Sequence, residues 1–184
     1  MDATIGPSVG EALVEFRKAA GLDCESASTS WTCRLGPLAL RLPNFKWRRQ
    51  AILAHDLHHI LTGYPCTMRG EFQMAAWEFG AGPMPHWGAT LFCLPLVLAG
   101  LFWAPRRMLL AFVAGRRSCS LHGRAIDALV VAPLNVARVE FAVPVRLQVS
   151  WFDFGCFAAL ILKASLLFFT PMSILAGVWT IFAE

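Results

Sequence analysis

The stretch from Phe154 to Ala183 constrains this chain more than any other part of it, because thirty residues there carry a single charge, Lys163. An apolar run of that length exceeds the ~20 residues a helix needs to cross a bilayer, even after a discount for Pro171. A second block, residues 87–104, holds no charge but barely reaches spanning length, and Pro95 interrupts it. Hydrophobic residues make up 57% of the chain and charged residues 15%, against about 25% charged in an ordinary soluble domain. This balance points to a membrane. At 184 residues there is room for one domain and one appended element, and none for a second catalytic domain. The expected organisation is an all-α, lipid-binding helical domain over residues 1–147 and a hydrophobic anchor, a transmembrane helix, over residues 148–184.

Charge placement bears on how the two blocks sit. Between them lie Arg106, Arg107, Arg116, Arg117, Arg124, Arg138 and Arg146 against only Asp127, Glu140 and Asp153. If both blocks crossed with the N-terminal part in the cytoplasm, this basic stretch would lie outside, contrary to the positive-inside tendency. The favoured topology therefore has only the second block spanning, with residues 87–104 buried or lying in the interface. Lys163 then reads as an anchor at the start of a helix beginning near Leu160, its ammonium reaching the headgroups. The net charge is a mild +4, and the basic residues come in short pairs beside apolar stretches. Such pairs suit anionic headgroups better than a nucleic-acid groove, so no nucleic-acid partner is expected.

Residues 8–20 place Val9, Leu13, Phe16 and Ala20 at helical spacing with Glu11, Glu15 and Lys18 on another face, the pattern of a soluble amphipathic helix. Residues 21–45 are rich in Ser, Thr, Gly and Pro, and Pro37 and Pro43 forbid a long helix there. Helical patterning returns from Lys46 to Leu61, where Gly63, Tyr64 and Pro65 stop it, and again from Gly70 to Phe79, ended by Gly80, Gly82 and Pro83. The six cysteines show no CxxC and no compact secreted framework, so they read as reduced thiols. The first residues lack a basic n-region followed by an apolar h-region, so secretion is not expected.

The string that carries chemistry is HDLHHILTGYPCTMRGE, His55 to Glu71. On a helix His55 and His59 are four residues apart and point to one side, so two imidazoles reach one ion. Asp56 lies about 100° round the helix from His55, placed to add an oxygen ligand or to orient a histidine. The turn from Thr62 to Arg69 reverses the chain, and Glu71 opens the next helix with its carboxylate able to face the pair. Nitrogen and oxygen donors without thiolate suit Zn, Fe, Mn or Co alike. A bare HDxxH is a weak signal, since histidines at this spacing also serve as core or capping residues. Glu71 alone would more often be a helix N-terminal charge favoured by the macrodipole.

The whole stretch resembles the signature of the coenzyme Q biosynthesis protein four family, HDxxH followed by eleven residues and Glu, and the count from His59 to Glu71 matches. HDLHHILTGY resembles that family's HDLWHVLTGY, GEFQMAAWEF its following helix, and AGRRSCSLHGRAIDALVVAPLNVARVEF its late basic segment. The likeness covers roughly residues 10–147. It implies that His55, Asp56, His59 and Glu71 are ligands of a divalent metal, zinc by preference with Fe, Co or Mn as alternatives, and that Glu71 and Asp56 are the candidate catalytic carboxylates. It further implies ubiquinone biosynthesis at the cytoplasmic face of a bacterial inner membrane, or at the mitochondrial inner membrane. The implied partners are a polyprenylated aromatic lipid and other ubiquinone biosynthesis proteins, and a homodimer is compatible with it. Two activities are described for the family: oxidative decarboxylation at ring carbon 1, and a non-catalytic lipid-binding scaffold that organises the biosynthetic complex. His58 departs from the pattern by standing where an aromatic residue is expected, about 60° from His55, as an aromatic replacement or a proton carrier. The apolar tail after Trp151 is a second departure.

Other residues have a plainer reading. Arg69 reads as a solvated turn residue rather than a carboxylate clamp, and His86 and His122, both beside Pro or Gly, as surface histidines. Trp77, Trp87 and Trp103 read as interfacial anchors at the ends of apolar segments. An HD-type phosphohydrolase would need another histidine upstream, and none precedes His55. An HExxH-like hydrolase is disfavoured because Asp56 shortens the general base by a methylene.

Overall fold

The computed structural model describes residues 6–21, 29–35, 38–82, 84, 86–122, 126–141 and 143–182. Cys24, Pro37, Pro83 and Arg124 lie outside the described residues. The chain is mostly helical, with α1 Val9–Ala20, α2 Lys46–Thr62, α3 Met68–Ala81, α4 Trp87–Trp103, α5 Pro105–Arg116, α6 Asp127–Val130, α7 Leu134–Glu140 and α8 Trp151–Phe182. One expectation needs correcting: the fold is not purely helical. Strands β1 (Ser30–Leu35) and β2 (Leu38–Pro43) pair antiparallel, Trp31 opposite Leu42, in a stretch where composition suggested only loop. Alternation of residues such as Trp31 and Thr32 across two six-residue strands is too short to stand out in a Ser- and Pro-rich segment.

Local chemistry explains the helix ends. Ser8 and Glu11 form a reciprocal capping box at the start of α1, and Gly21 ends it at φ +67°, as the pairing of a Ser cap with Glu three residues on leads one to expect. Gly63, at φ +76°, ends α2 and returns its N–H to the His59 carbonyl. Arg138 of α7 caps the same end from outside, donating to the carbonyls of Ile60 and Leu61 at 3.0 Å each. The Thr67 side chain caps α3 by accepting from the Gly70 N–H. A Cβ at Gly70 would overlap the Pro65 carbonyl, so the α2–α3 turn folds directly onto the first turn of α3.

Two apolar clusters flank α2 and α3. Val9, Leu57, Leu61, Leu129 and Phe141 join α1, α2, α6 and the chain after α7. Met74, Trp77, Val97, Met108, Phe112 and Phe157 join α3, α4, α5 and α8. Trp77 is fully buried, which corrects its reading as an interfacial anchor, whereas Trp87 and Trp103 are exposed. Helices α3 and α5 approach through glycine: a Cβ on Gly115 would overlap the Trp77 carbonyl, and one on Gly80 the Phe112 carbonyl.

Among the described residues one helix is long and apolar enough to cross a membrane, the stretch Trp151–Pro171 of α8, with a mean hydropathy of 1.8. This stretch is mostly exposed. Its first turn is pinned to the body, because Asp153 pairs with Arg116 at 3.3 Å and with Arg117 at 2.8 Å. The helix begins at Trp151 rather than near Leu160, so Lys163 lies twelve residues inside it, about 18 Å along the axis. The block at 87–104 forms one helix through Pro95, seventeen residues long.

Candidate metal centre

Helix α2 presents His55 and His59 toward the start of α3, where Glu71 completes a group whose ligand atoms lie within 4.8 Å of one another. The two Nε2 atoms are 3.1 Å apart. Glu71 Oε2 lies 3.1 Å from His55 Nε2, and Oε1 lies 3.4 Å from His59 Nε2. These separations are close to the ~3.3 Å expected between tetrahedral donors with metal–donor bonds of about 2.0–2.1 Å.

The hydrogen bonds on the far side of each ring fix what the near side offers. His59 Nδ1 lies 2.9 Å from the Tyr64 carbonyl, which can only accept, so that nitrogen carries the proton. His55 Nδ1 lies 3.2 Å from Glu78 Oε1 and donates to it in the same way. Both Nε2 lone pairs, and the Glu71 carboxylate, therefore converge on one point. Three electron-rich atoms at this spacing repel unless a cation sits among them. In the metal-free protein a proton fills that role. Burial alone would depress the His55 pKa, but the Glu78 charge and hydrogen bonds to Glu71 and Glu78 outweigh it and push it up to about 10. Burial likewise opposes ionisation of Glu71, and the hydrogen bond from protonated His55, with the His59 ring close by, overrides it, holding its pKa at about 2. The residues fit a divalent metal held by two histidines and one carboxylate, a donor set that leaves a coordination position for a further group.

Asp56 is not part of this convergence. Its carboxylate receives the Arg17 guanidinium of α1 at 2.8 Å and is buried. Burial raises its pKa, opposed by the bond from Arg17. The expectation of a fourth ligand is corrected for a simple reason: the 100° step that separates Asp56 from His55 turns it toward α1. Here Asp56 ties α1 to the helix carrying the histidines, while Phe16 of α1 stacks on the His59 ring at 5.3 Å between centroids.

Sequence reasoning missed Glu78 and misjudged His122. Glu78, 2% exposed, receives His58 Nδ1 at 2.8 Å as well as His55. A lone acidic residue seven positions after Glu71, in an otherwise apolar helix, is the signal that could have found it. His58 accepts the Leu121 N–H on Nε2 at 3.0 Å, so its proton sits on Nδ1 and is given to Glu78. The His122 side chain, 7% exposed, lies beside them with its Nε2 3.8 Å from Glu78 Oε1, against the expectation of a surface histidine; the other histidine so read, His86, is half-buried, caps α4 and stacks on Trp47 at 4.2 Å. His58, Glu78 and His122 also bring donor atoms within 4.8 Å. The Leu121 bond distinguishes this second group from the first: His58 could ligate through Nδ1 only by giving up the proton that Glu78 holds. It is better suited to steady His55 from behind, the carboxylate–histidine support common around metal ligands.

No family model, curated protein or solved structure matches this chain.

Proposed function

We propose that this chain is a membrane-anchored, metal-dependent protein of ubiquinone biosynthesis that acts on a polyprenylated aromatic acid. The observation that carries the reading is the convergence of His55 Nε2, His59 Nε2 and Glu71 at the spacing HDxxH-x11-E, the pattern in which the sequence resembles the coenzyme Q biosynthesis protein four family. Replacing a ring carboxylate by hydroxyl releases carbon dioxide and takes up one oxygen atom; with dioxygen as the oxidant, the second oxygen atom leaves as water, reduced by two electrons and two protons from an external reductant. When bound, a divalent ion would neutralise the carboxylate and the charge that develops on it; zinc is the ion the resemblance favours, and an oxidative step favours iron or cobalt.

The chain's own residues would do the rest. Glu78 and the Tyr64 carbonyl hold the two imidazoles with their Nε2 atoms forward, and Arg17 with Asp56 fixes α1 over α2. Helix α8 would anchor the body at the cytoplasmic face, and its thirty-two residues, about 48 Å of helix, exceed the ~30 Å hydrocarbon core. The first part, where Asp153, Phe157 and Ala164 are buried, packs on the body. That leaves the part after Ala164 for the lipid, with the Lys163 ammonium near the headgroups.

The test is complementation of a deletion strain with wild type or Glu71→Ala, reading ubiquinone and its carboxylated precursor by mass spectrometry and the metal content of the purified protein. Accumulation of the carboxylated precursor with an intact biosynthetic complex and lost metal is expected. Loss of the complex instead would assign the chain a scaffolding role, and full ubiquinone with Glu71→Ala would remove the metal reading.

A further inference from the structure

The corner where α4 hands over to α5 leaves two aromatic residues in the open, Phe102 at 92% and Trp103 at 61% exposure. Arg69, Arg106 and Arg107 stand around them, all exposed. The Arg69 guanidinium lies over the Trp103 ring at 5.5 Å, and Arg69, Trp103 and Arg107 line one shallow cleft. None of the three arginines meets a carboxylate among the described residues. Glu71, two positions from Arg69, is turned to His55 and His59 instead. An aromatic tip ringed by cations without counter-charges suits the interface of an anionic bilayer, where the rings leave water and the guanidinium groups meet phosphates.

The course of α8 puts the same corner beside the lipid. Asp153 pairs with Arg116, and the Phe157 ring meets Phe112 at 5.4 Å, so α8 runs back along α5 from its C-terminal end toward the corner. Ala164 then clusters with Leu94 and Leu98 of α4, and the helix continues to Phe182. From Leu98 to the corner residue Ala104 is about 9 Å of helix. With the bilayer boundary near Ala164, Phe102 and Trp103 therefore fall at the depth of roughly 5–10 Å that interfacial apolar faces reach.

We propose that the α4–α5 corner is a second membrane contact, in which Phe102 and Trp103 enter the interface of an anionic bilayer while Arg69, Arg106 and Arg107 bind lipid phosphates. The proposal rests on the reading of α8 as the anchor and adds a contact that an anchor alone does not require. It also holds the turn of α3 that carries Glu71 at headgroup level.

The experiment uses the purified full chain, reconstituted into vesicles of phosphatidylcholine alone or mixed with phosphatidylglycerol, with acyl chains brominated close to the headgroup. Trp103 emission is read as the difference between wild type and Trp103→Phe. Strong quenching is expected in the mixed vesicles, and most of it should be lost in phosphatidylcholine alone and at high salt. The double variant Arg106→Glu, Arg107→Glu should lose it too while remaining inserted through α8, since carboxylates suit the first turn of α5. Phe102→Ser is the second variant if that one does not fold, with the same loss expected. Extraction at alkaline pH reports α8 separately. If the wild type is washed off, the anchor reading fails, and sedimentation with the same vesicles tests the corner alone: affinity falling about fivefold for each arginine removed supports the contact, and no binding overturns it. An inserted chain whose Trp103 is unquenched, or equally quenched in both lipids, overturns the proposal. So does a dimer in detergent that Phe102→Glu splits while Trp103 stays shielded from the bromines, because a second copy would then cover the corner.

Discussion

Glu78→Gln should weaken metal binding by an amount that depends on pH. The carboxylate does two opposing things: it holds the His55 ring with Nε2 forward, and it stabilises the proton that competes for that nitrogen. Loss of a carboxylate behind a metal-ligating histidine weakens metal affinity by about 10–100-fold, or about 1.4–2.7 kcal/mol. In the other direction, a His55 pKa of about 10 means that at pH 7 the metal must displace a proton at a cost of about a thousandfold in apparent affinity. Removing the Glu78 charge lowers that pKa and relieves part of the cost. In the wild type, the logarithm of cobalt affinity should rise by about one per pH unit from pH 6.5 to 9. In Glu78→Gln the rise should level off at lower pH, so the two affinities nearly meet at pH 6.5, separate by about 2–10-fold at pH 9 and reach the full 10–100-fold only above about pH 10. Titration of the apoprotein in detergent, followed by the visible bands of bound cobalt, reads both quantities. Parallel curves over the whole range would refute the argument, because they would mean that Glu78 does not govern the proton on His55.

The metal-free protein should show a matching stability profile. Because the His55 pKa is raised to about 10 and that of Glu71 lowered to about 2, the His55 contribution is complete below about pH 6.5 and lost toward pH 10, and the Glu71 contribution is complete above about pH 4.5 and lost toward pH 2. The His122 contribution, its pKa drawn down to about 4, is present above about pH 6.5 and lost as pH falls toward 4, so thermal unfolding across pH should peak near pH 6.5, and a flat profile from 6.5 to 10 would contradict it. Gly115→Ala forces a methyl into the Trp77 carbonyl and should cost about 1–3 kcal/mol, a fall of roughly 2–12 °C in Tm for a chain of this size. Gly155→Ala, with open space around it, should leave Tm unchanged or slightly raised. A topology reporter fused after Glu184 should report the periplasmic side and one near Ser118 the cytoplasmic side; the opposite outcome at Ser118 would mean that residues 87–104 span.

The parts of this site that were legible in the sequence are those set by local geometry. Four-residue spacing places His55 and His59 on one side of α2, and the Gly63–Tyr64–Pro65 stop brings Glu71 back to them. Asp56 was misplaced because angle alone cannot say which neighbour will claim a carboxylate; Arg17, thirty-nine residues earlier, does. Glu78 and His122 depend on α3 and on the chain after α5 meeting behind α2, a long-range packing result that no spacing encodes. The hairpin was hidden by composition, and Trp77 by its place near the end of an apolar helix, where burial and exposure read alike. The helices themselves followed apolar periodicity and their stop residues closely, because Ser8, Gly21 and Gly63 do at each end what their backbone chemistry favours.

The glycine contacts between α3 and α5 bear on how a metal could enter and leave. With Gly80 and Gly115 set against opposing carbonyls, α3 has no room to slide along or roll on α5, so Glu71 and Glu78 ride on a fixed frame. The two histidines sit on α2, which is held at one end by Arg138 and along its side by Arg17. The His55 and Glu71 side chains are each 25% exposed, so an ion can reach the site from solvent without either helix moving, and the two arginine clasps keep that opening constant.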